Sequence, residues 1–374
     1  MKQKLLITCL CLAGWLMPSV AWADVEINEA NFPDANFRAL LMTLPEGKDG
    51  VFTDEEIAGL HNLYFEGERC WYIKSVKGIE HLTALEYVEY PHAFYLKELD
   101  LSQNKALRII VFGSALLDRL DISGLPALKH LSLQGVMGIK ELDLSGYENL
   151  ESIGCSGDFE ELNIQGCTQL KDLYCKGNHL TSLNLTNLPQ LKTLNVSNNE
   201  LTSLDLSGLT ELRALKSSRN PLGRLDVSHN KKLEELWCVD NELTELDLSA
   251  NKALRYLVCS ANNIRDERMT ALIASLPVAD TVGQIIVGAN NSEGEGNFYT
   301  PEQKALAKGK NLLVFETLPD YVGGDNFHYY TGIPTPQVHP TSHDSAFYTL
   351  DGRRLTTPPT KGIYIQNGRK MVIK

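Results

Sequence analysis

Leucines and their equivalents recur along the chain in two alternating runs. The first reads Leu-x-x-Leu-x-Leu-Ser, and its opening apolar residues are Leu96, Leu117, Ile139, Phe159, Leu180, Leu201, Leu222 and Leu243. Successive openings are 21, 22, 20, 21, 21, 21 and 21 residues apart. The second run, Leu-x-x-Leu-x-Cys/Val-x-x-Asn, opens at Leu85, Leu107, Leu128, Leu150, Leu170, Leu191, Leu212, Leu233 and Leu254. A fixed period of this size predicts a solenoid, because one unit cannot bury its leucines alone but stacked units share a continuous core. The alternation inside the second run predicts a short strand per unit, with the leucines inward and the residues between them on a concave face.

Three further rows follow from the register. Asn178, Asn199, Asn220, Asn241 and Asn262 share one slot, with Asp158 in the preceding unit. A buried Asn there can bond the turn backbone of its own and the neighbouring coil. Ala115 and Val136 replace it in the first units, which predicts less regular turns. Cys155, Cys175, Cys238 and Cys259 share an inward slot with Leu133 and Val196, so a reduced, buried ladder is favoured over disulfides. Cys167 falls with Leu125 and Leu209 and reads as packing, and Cys70 has no assignable partner. Asp100, Asp121, Asp143, Asp205, Asp226 and Asp247, interrupted by Asn163 and Asn184, form an outward convex row. Turn hydrogen bonds on a solvated face are favoured there over calcium.

Nine units in one phase resemble the leucine-rich-repeat family. More narrowly, they resemble the bacterial internalin-type proteins whose 21-residue repeats carry an inward cysteine. The resemblance covers residues 73–265. It implies an α/β leucine-rich-repeat solenoid with a curved parallel sheet and a mostly irregular, short-strand convex side. It also implies a role in binding proteins or glycans outside the cell.

The ends differ from the repeats. Residues 1–23 read as an export signal, with Lys2 and Lys4 before an apolar run from Leu5 to Met17 and Ala21-Trp22-Ala23 as cleavage site. Residues 24–72 read as a helical N-terminal cap, with helices at Phe37–Leu41 and after the capping box Thr53–Glu56. Within it, residues 45–56 resemble a calcium loop at Asp49, Gly50 and Glu56, but Pro45 and Gly47 stand where acids are needed. Residues 266–320 read as an α/β C-terminal cap: Asp266 capping a helix, a strand at Ile285–Val287, a helix from Thr300-Pro301, and a strand at Leu312–Phe315. A Gly/Pro-rich linker is expected over 321–344, then a small β-hairpin appendage over 345–374. That appendage, with Leu350-Asp-Gly-Arg-Arg-Leu and Lys361-Gly-Ile-Tyr-Ile, resembles C-terminal sorting tails of Bacteroidetes proteins, and an ordinary β appendage fits it equally. Asp280-Thr281-Val282 and Asp344-Ser345-Ala346 fit the short O-glycan acceptor triplet of such bacteria.

Composition narrows the function. The 374-residue chain is 43% hydrophobic and 22% charged, with a net charge of -12, which becomes -14 once Lys2 and Lys4 are removed with the signal. Such an acidic chain is a poor match for nucleic acid. After the signal no apolar run is long enough to span a bilayer. The sequence carries no His-Glu-x-x-His, Gly-x-Ser-x-Gly or phosphate-binding glycine loop, so no catalytic residue, metal or cofactor is assigned. An exported, non-enzymatic recognition protein is expected, at the cell surface or outer membrane or secreted. Its partner is expected to be a host or bacterial surface protein, and adhesion is what the resemblance implies. A glycan stacked on Trp237 and Tyr256, or an envelope structural role, are the alternatives. The expected concave docking residues are Glu235, Trp237, Val239, Tyr256 and Val258, with Tyr174 farther along and Tyr87, Ile109 and Val111 as a second apolar spot.

Overall fold

The computed structural model describes residues 24–278, 283–286, 296–310, 312–314, 347–348, 354–355, 362–366 and 369–373. They belong to two compact units, 1–333 and 334–374. In the first unit, twelve strands pair in parallel, each beside the next. They are β1 (Asn62–Tyr64), β2 (Tyr87–Tyr90), β3 (Ile109–Gly113), β4 (His130–Val136), β5 (Ser152–Gly157) and β6 (Asp172–Tyr174), followed by β7 (Thr193–Asn195), β8 (Ala214–Lys216), β9 (Glu235–Trp237), β10 (Tyr256–Val258), β11 (Gly283–Ile286) and β12 (Leu312–Val314). One strand comes from each of the nine repeats, and the rest extend the sheet at both ends. Leu173, Leu194, Leu215, Leu236 and Leu257 stand in one register row and are fully buried. The chain is thus a β-solenoid with its leucines inward.

The asparagine row supplies hydrogen bonds where the chain leaves the sheet. Asn199 Nδ2 donates to Val196 O of its own coil and Cys175 O of the preceding one, both at 2.9 Å. Asn220 and Asn262 repeat that double bond. Their Oδ1 atoms accept from Leu201 N and Leu243 N one coil back. Asn297, from beyond the repeats, closes the row by donating to Cys259 O and accepting from Ile264 N. A second ladder, not recognised in the sequence, lies on the opposite turn. Asn104, Asn230 and Asn251 are buried there, and Asn230 Nδ2 donates to Leu206 O and Leu209 O. Cys167 shares this slot, and its thiol donates to Leu144 O at 3.3 Å, so it bonds as well as packs.

Where the asparagines are missing, the strands run on. β4 and β5 have seven and six residues, against three in each of β6 to β10. Ser114 N donates to Gln134 O and Met137 N to Ala115 O, extending the ladder past the point where an asparagine would turn the chain. The two regimes meet at Gly157, whose φ is 150°. A Cβ there would lie 1.8 Å from Val136 O, so only glycine fits.

The convex aspartates hold turns. Asp100, Asp121, Asp143, Asp205, Asp226 and Asp247 each accept the backbone N–H two residues on, at 2.8–3.1 Å. The serine bonds pull the Asp143 and Asp205 carboxyls below the ordinary range. At the N-terminal end, α1 (Ala35–Leu41) and α2 (Asp54–Gly59) flank the calcium-like loop. The Glu56 carboxylate accepts from Thr53 N and Oγ, both at 2.8 Å, so it serves the helix start. Phe65 stacks on Phe37 and on Tyr90, tying this region to the sheet. At the other end lie α3 (Asp266–Ser275) and α4 (Pro301–Lys308). The Asp266 side chain does not cap α3, contrary to expectation. The residue lies inside the first turn at φ 53°, and its carbonyl accepts from Gln303 Nε2. In the second unit, 347–348 pairs antiparallel with 354–355 and with 362–366, and 362–366 pairs with 369–373. The expected export signal, both expected O-glycan triplets and all of the expected linker 321–344 lie outside the described residues. No helix among those described is long and apolar enough to cross a membrane.

All six described cysteines are free and buried. Ser217 shares the ladder slot between Val196 and Cys238 and is equally buried. Burial pushes the Cys155 and Cys238 thiols from 9.0 up to about 12. The folded chain therefore keeps protons that the unfolded chain sheds above pH 9. Stability should fall as pH rises from about 9 toward 12, by up to ~1.4 kcal/mol per pH unit for each thiol. Urea midpoints across that window should decline less steeply in Cys155→Val/Cys238→Val. Separately, Asn220→Ala should cost about 2–4 kcal/mol in urea unfolding, because buried carbonyl and amide groups lose their partners. Asn184→Ala, on the exposed convex row, should cost much less.

Candidate binding face

The odd positions of the concave strands form the face that a partner would meet. Its C-terminal part is the most organised. Register places Lys216 of β8, Trp237 of β9 and Val258 of β10 side by side, with Ala214, Glu235 and Tyr256 in the row below. Lys216 Nζ sits 5.0 Å from the centroid of the Trp237 ring and 3.2 Å from Glu235 Oε1. Trp237 Nε1 donates to the same carboxylate. The three side chains therefore brace one another. Cation, ring and carboxylate are only partly hydrated, which strengthens a cation–π contact over its value at an open surface. Lys216 was not singled out in the sequence, although it occupies the same strand slot as Tyr174 and Trp237.

Tyr256 stands beyond this group and is 50% exposed. Val258 was expected at the solvent face but is buried, held between Trp237 on one side and β11 on the other. Val239 is half-buried and lies past the end of β9 rather than extending it. Its N–H donates to Ser218 Oγ and its carbonyl accepts from Arg219 N.

The second expected spot is divided. Ile109 and Val111 are half-buried on β3. Tyr87, their neighbour on β2, is buried, contrary to expectation. Its ring lies 5.2 Å from that of Tyr64, and its hydroxyl donates to Glu89 Oε2 at 2.6 Å. Burial first, and Glu89 second, push that hydroxyl above the ordinary range. Tyr174 on β6 is half-buried and three strands from Trp237. The fold thus gathers Glu235, Trp237, Tyr256 and Val258. It leaves Tyr174 apart, and it sets Ile109 and Val111 six strands, and Tyr87 seven strands, away from Trp237.

The repeat geometry has matches among known proteins. A Leucine Rich Repeat family model fits residues 190–212. The functional domain of InlJ from Listeria monocytogenes, described as including a cysteine ladder, is 27% identical with a TM-score of 0.59, over 72% of this chain and 57% of that one. The fold is a leucine-rich-repeat solenoid, similar to that of an internalin with a cysteine ladder. This leucine-rich-repeat chain spans little more than half the length of the InlJ structure. An internalin from the same organism, InlF, is 19% identical with a TM-score of 0.47, over 80% of this chain and all of that one. The leucine-rich-repeat protein LIC12759 of Leptospira interrogans is also 19% identical, with a TM-score of 0.41 over 70% of this chain and 91% of that one. No curated protein matches. A leucine-rich-repeat solenoid of this type is a scaffold suited to protein interaction.

Burial separates the concave aromatics into surface and core. Tyr256→Ala should change stability by no more than about 0.5 kcal/mol, whereas Tyr87→Ala should cost roughly 3–5 kcal/mol. Thermal or urea unfolding of the two variants checks this, and equal losses would contradict the assigned exposures.

Proposed function

We propose that the protein is an exported, non-catalytic recognition module that binds a surface protein of a host or neighbouring cell through the C-terminal part of its concave face. The observation that carries the reading is the braced Lys216–Glu235–Trp237 group with exposed Tyr256 beside it. Rigid aromatics ordered before binding lose little entropy on contact, and buried aromatic anchors dominate interface energies. Ile109 and Val111 offer a smaller apolar contact farther along the same curve.

A protein partner fits this group better than a stacked sugar. One face of the Trp237 ring already carries the Lys216 ammonium, so that face is not free for a pyranose. The Lys216 and Glu235 charges also offer a partner both signs within one contact. Adhesion is the role that agrees with an exported solenoid of this kind.

The test is capture of surface proteins from host and bacterial membrane fractions by the purified protein. Trp237→Ala combined with Tyr256→Ala should weaken capture at least tenfold with folding intact, a loss typical of two anchor residues. Undiminished capture would exclude the concave patch. Capture that disappears when the fractions are deglycosylated would assign the patch to a glycan instead.

A further inference from the structure

Six of the eleven large apolar side chains exposed among the described residues lie on one flank of the first coils. They are Trp71, Tyr72, Phe94, Tyr95, Leu116 and Met137, each 37–55% exposed. They form a row along the solenoid axis. Tyr72 stacks on Tyr95 one coil away, with centroids 5.7 Å apart. Trp71 meets Phe94 edge to face at 6.2 Å, and Leu116 bridges in register to Met137. In later coils the residue before the inward leucine is His179, Glu200 or Glu242, so the flank turns polar where the stripe ends. Contiguous exposure of this extent on a water-soluble surface points to a covered face.

We propose that this stripe is the surface through which two copies of the chain dock side by side. Six half-exposed side chains of this size present on the order of 500–600 Å² of apolar surface. With their polar rim they approach the roughly 800 Å² per partner of a stable interface. The rim charge is sided. Glu66 and Glu68 precede the aromatics and outweigh Arg69, while Lys74 and Lys97 follow them and outweigh Asp118, which holds the Lys97 position in the next coil. Among the described residues none of Glu66, Glu68, Lys74 and Lys97 forms an intrachain ion pair. A two-fold axis parallel to the solenoid axis brings matched coils together and sets the acidic side of each copy against the lysine side of the other. A perpendicular axis would oppose like charges. Tyr72 and Tyr95 already cover one face of each other and Trp71 meets Phe94 edge to face, which leaves less ring face for sugars and a ridge suited to a second ridge. The concave face stays open in both copies.

Sedimentation equilibrium of the protein purified from the cells that make it should return twice the chain mass at micromolar concentration. Tyr95→Lys with Leu116→Lys should give a monomer with an unchanged melting temperature. Lys74→Glu should raise the dimer dissociation constant about fivefold to tenfold, and adding Glu68→Lys should restore it, since the swapped charges face each other again. Trp237→Ala should leave the dimer intact, which separates this surface from the concave patch. A monomer at all concentrations overturns the proposal, including one that binds phosphatidylcholine vesicles instead. A dimer insensitive to both the stripe and charge variants overturns it as well.

Discussion

A solenoid must turn its chain through a buried corner in every coil, and each corner leaves backbone carbonyls that water cannot reach. The asparagine amides meet that requirement. One Nδ2 bonds a carbonyl of its own turn and one of the preceding coil, and Oδ1 takes an amide from that preceding coil. Each turn is therefore closed by its neighbour as much as by itself, and an unpaired group at such a site would be costly. On the other turn Asn104, Asn230 and Asn251 each donate to two carbonyls of the preceding coil, and the Cys167 thiol donates to one. Stacking is then cooperative in polar terms as well as apolar ones.

The concave face inherits its shape from these corners. An asparagine ends the strand after three residues, so β6 to β10 present two outward side chains each, at fixed spacing. That regularity puts Lys216, Glu235 and Trp237 within bonding distance on adjacent coils. Without the asparagine, β3 to β5 continue in register for five to seven residues and carry the chain farther before it turns. The flank of these coils is where the exposed aromatic and aliphatic row appears. Both candidate surfaces thus follow from which residue occupies a single slot.

The sequence made the repeat, the inward leucines, the cysteine slot and the first asparagine row legible, because each depends only on period and register. Two kinds of feature were not legible. The second asparagine ladder has three members scattered among Leu125, Tyr147, Cys167, Leu188 and Leu209, so no consensus marks it. Side-chain burial on the concave face depends on neighbours across the sheet. Tyr87 and Tyr256 occupy equivalent strand positions, yet one is closed over by Tyr64 and Glu89 and the other faces solvent. Strand alternation assigns a side, and packing across coils then decides exposure. The flank row could have been found from the same register, since Tyr95 and Leu116 hold a slot that is His179 and Glu200 farther on.

The two surfaces are compatible because they use different directions of the same scaffold. The concave patch lies at the C-terminal coils and points inward along the curve, and the apolar row lies at the N-terminal coils and points sideways. Pairing through the flank about an axis parallel to the solenoid axis would turn the two concave patches toward opposite sides, so a pair could bridge two surfaces that each display the partner. The asparagine ladders beneath the C-terminal patch would hold its geometry fixed in both copies, so little freedom is lost when either engages.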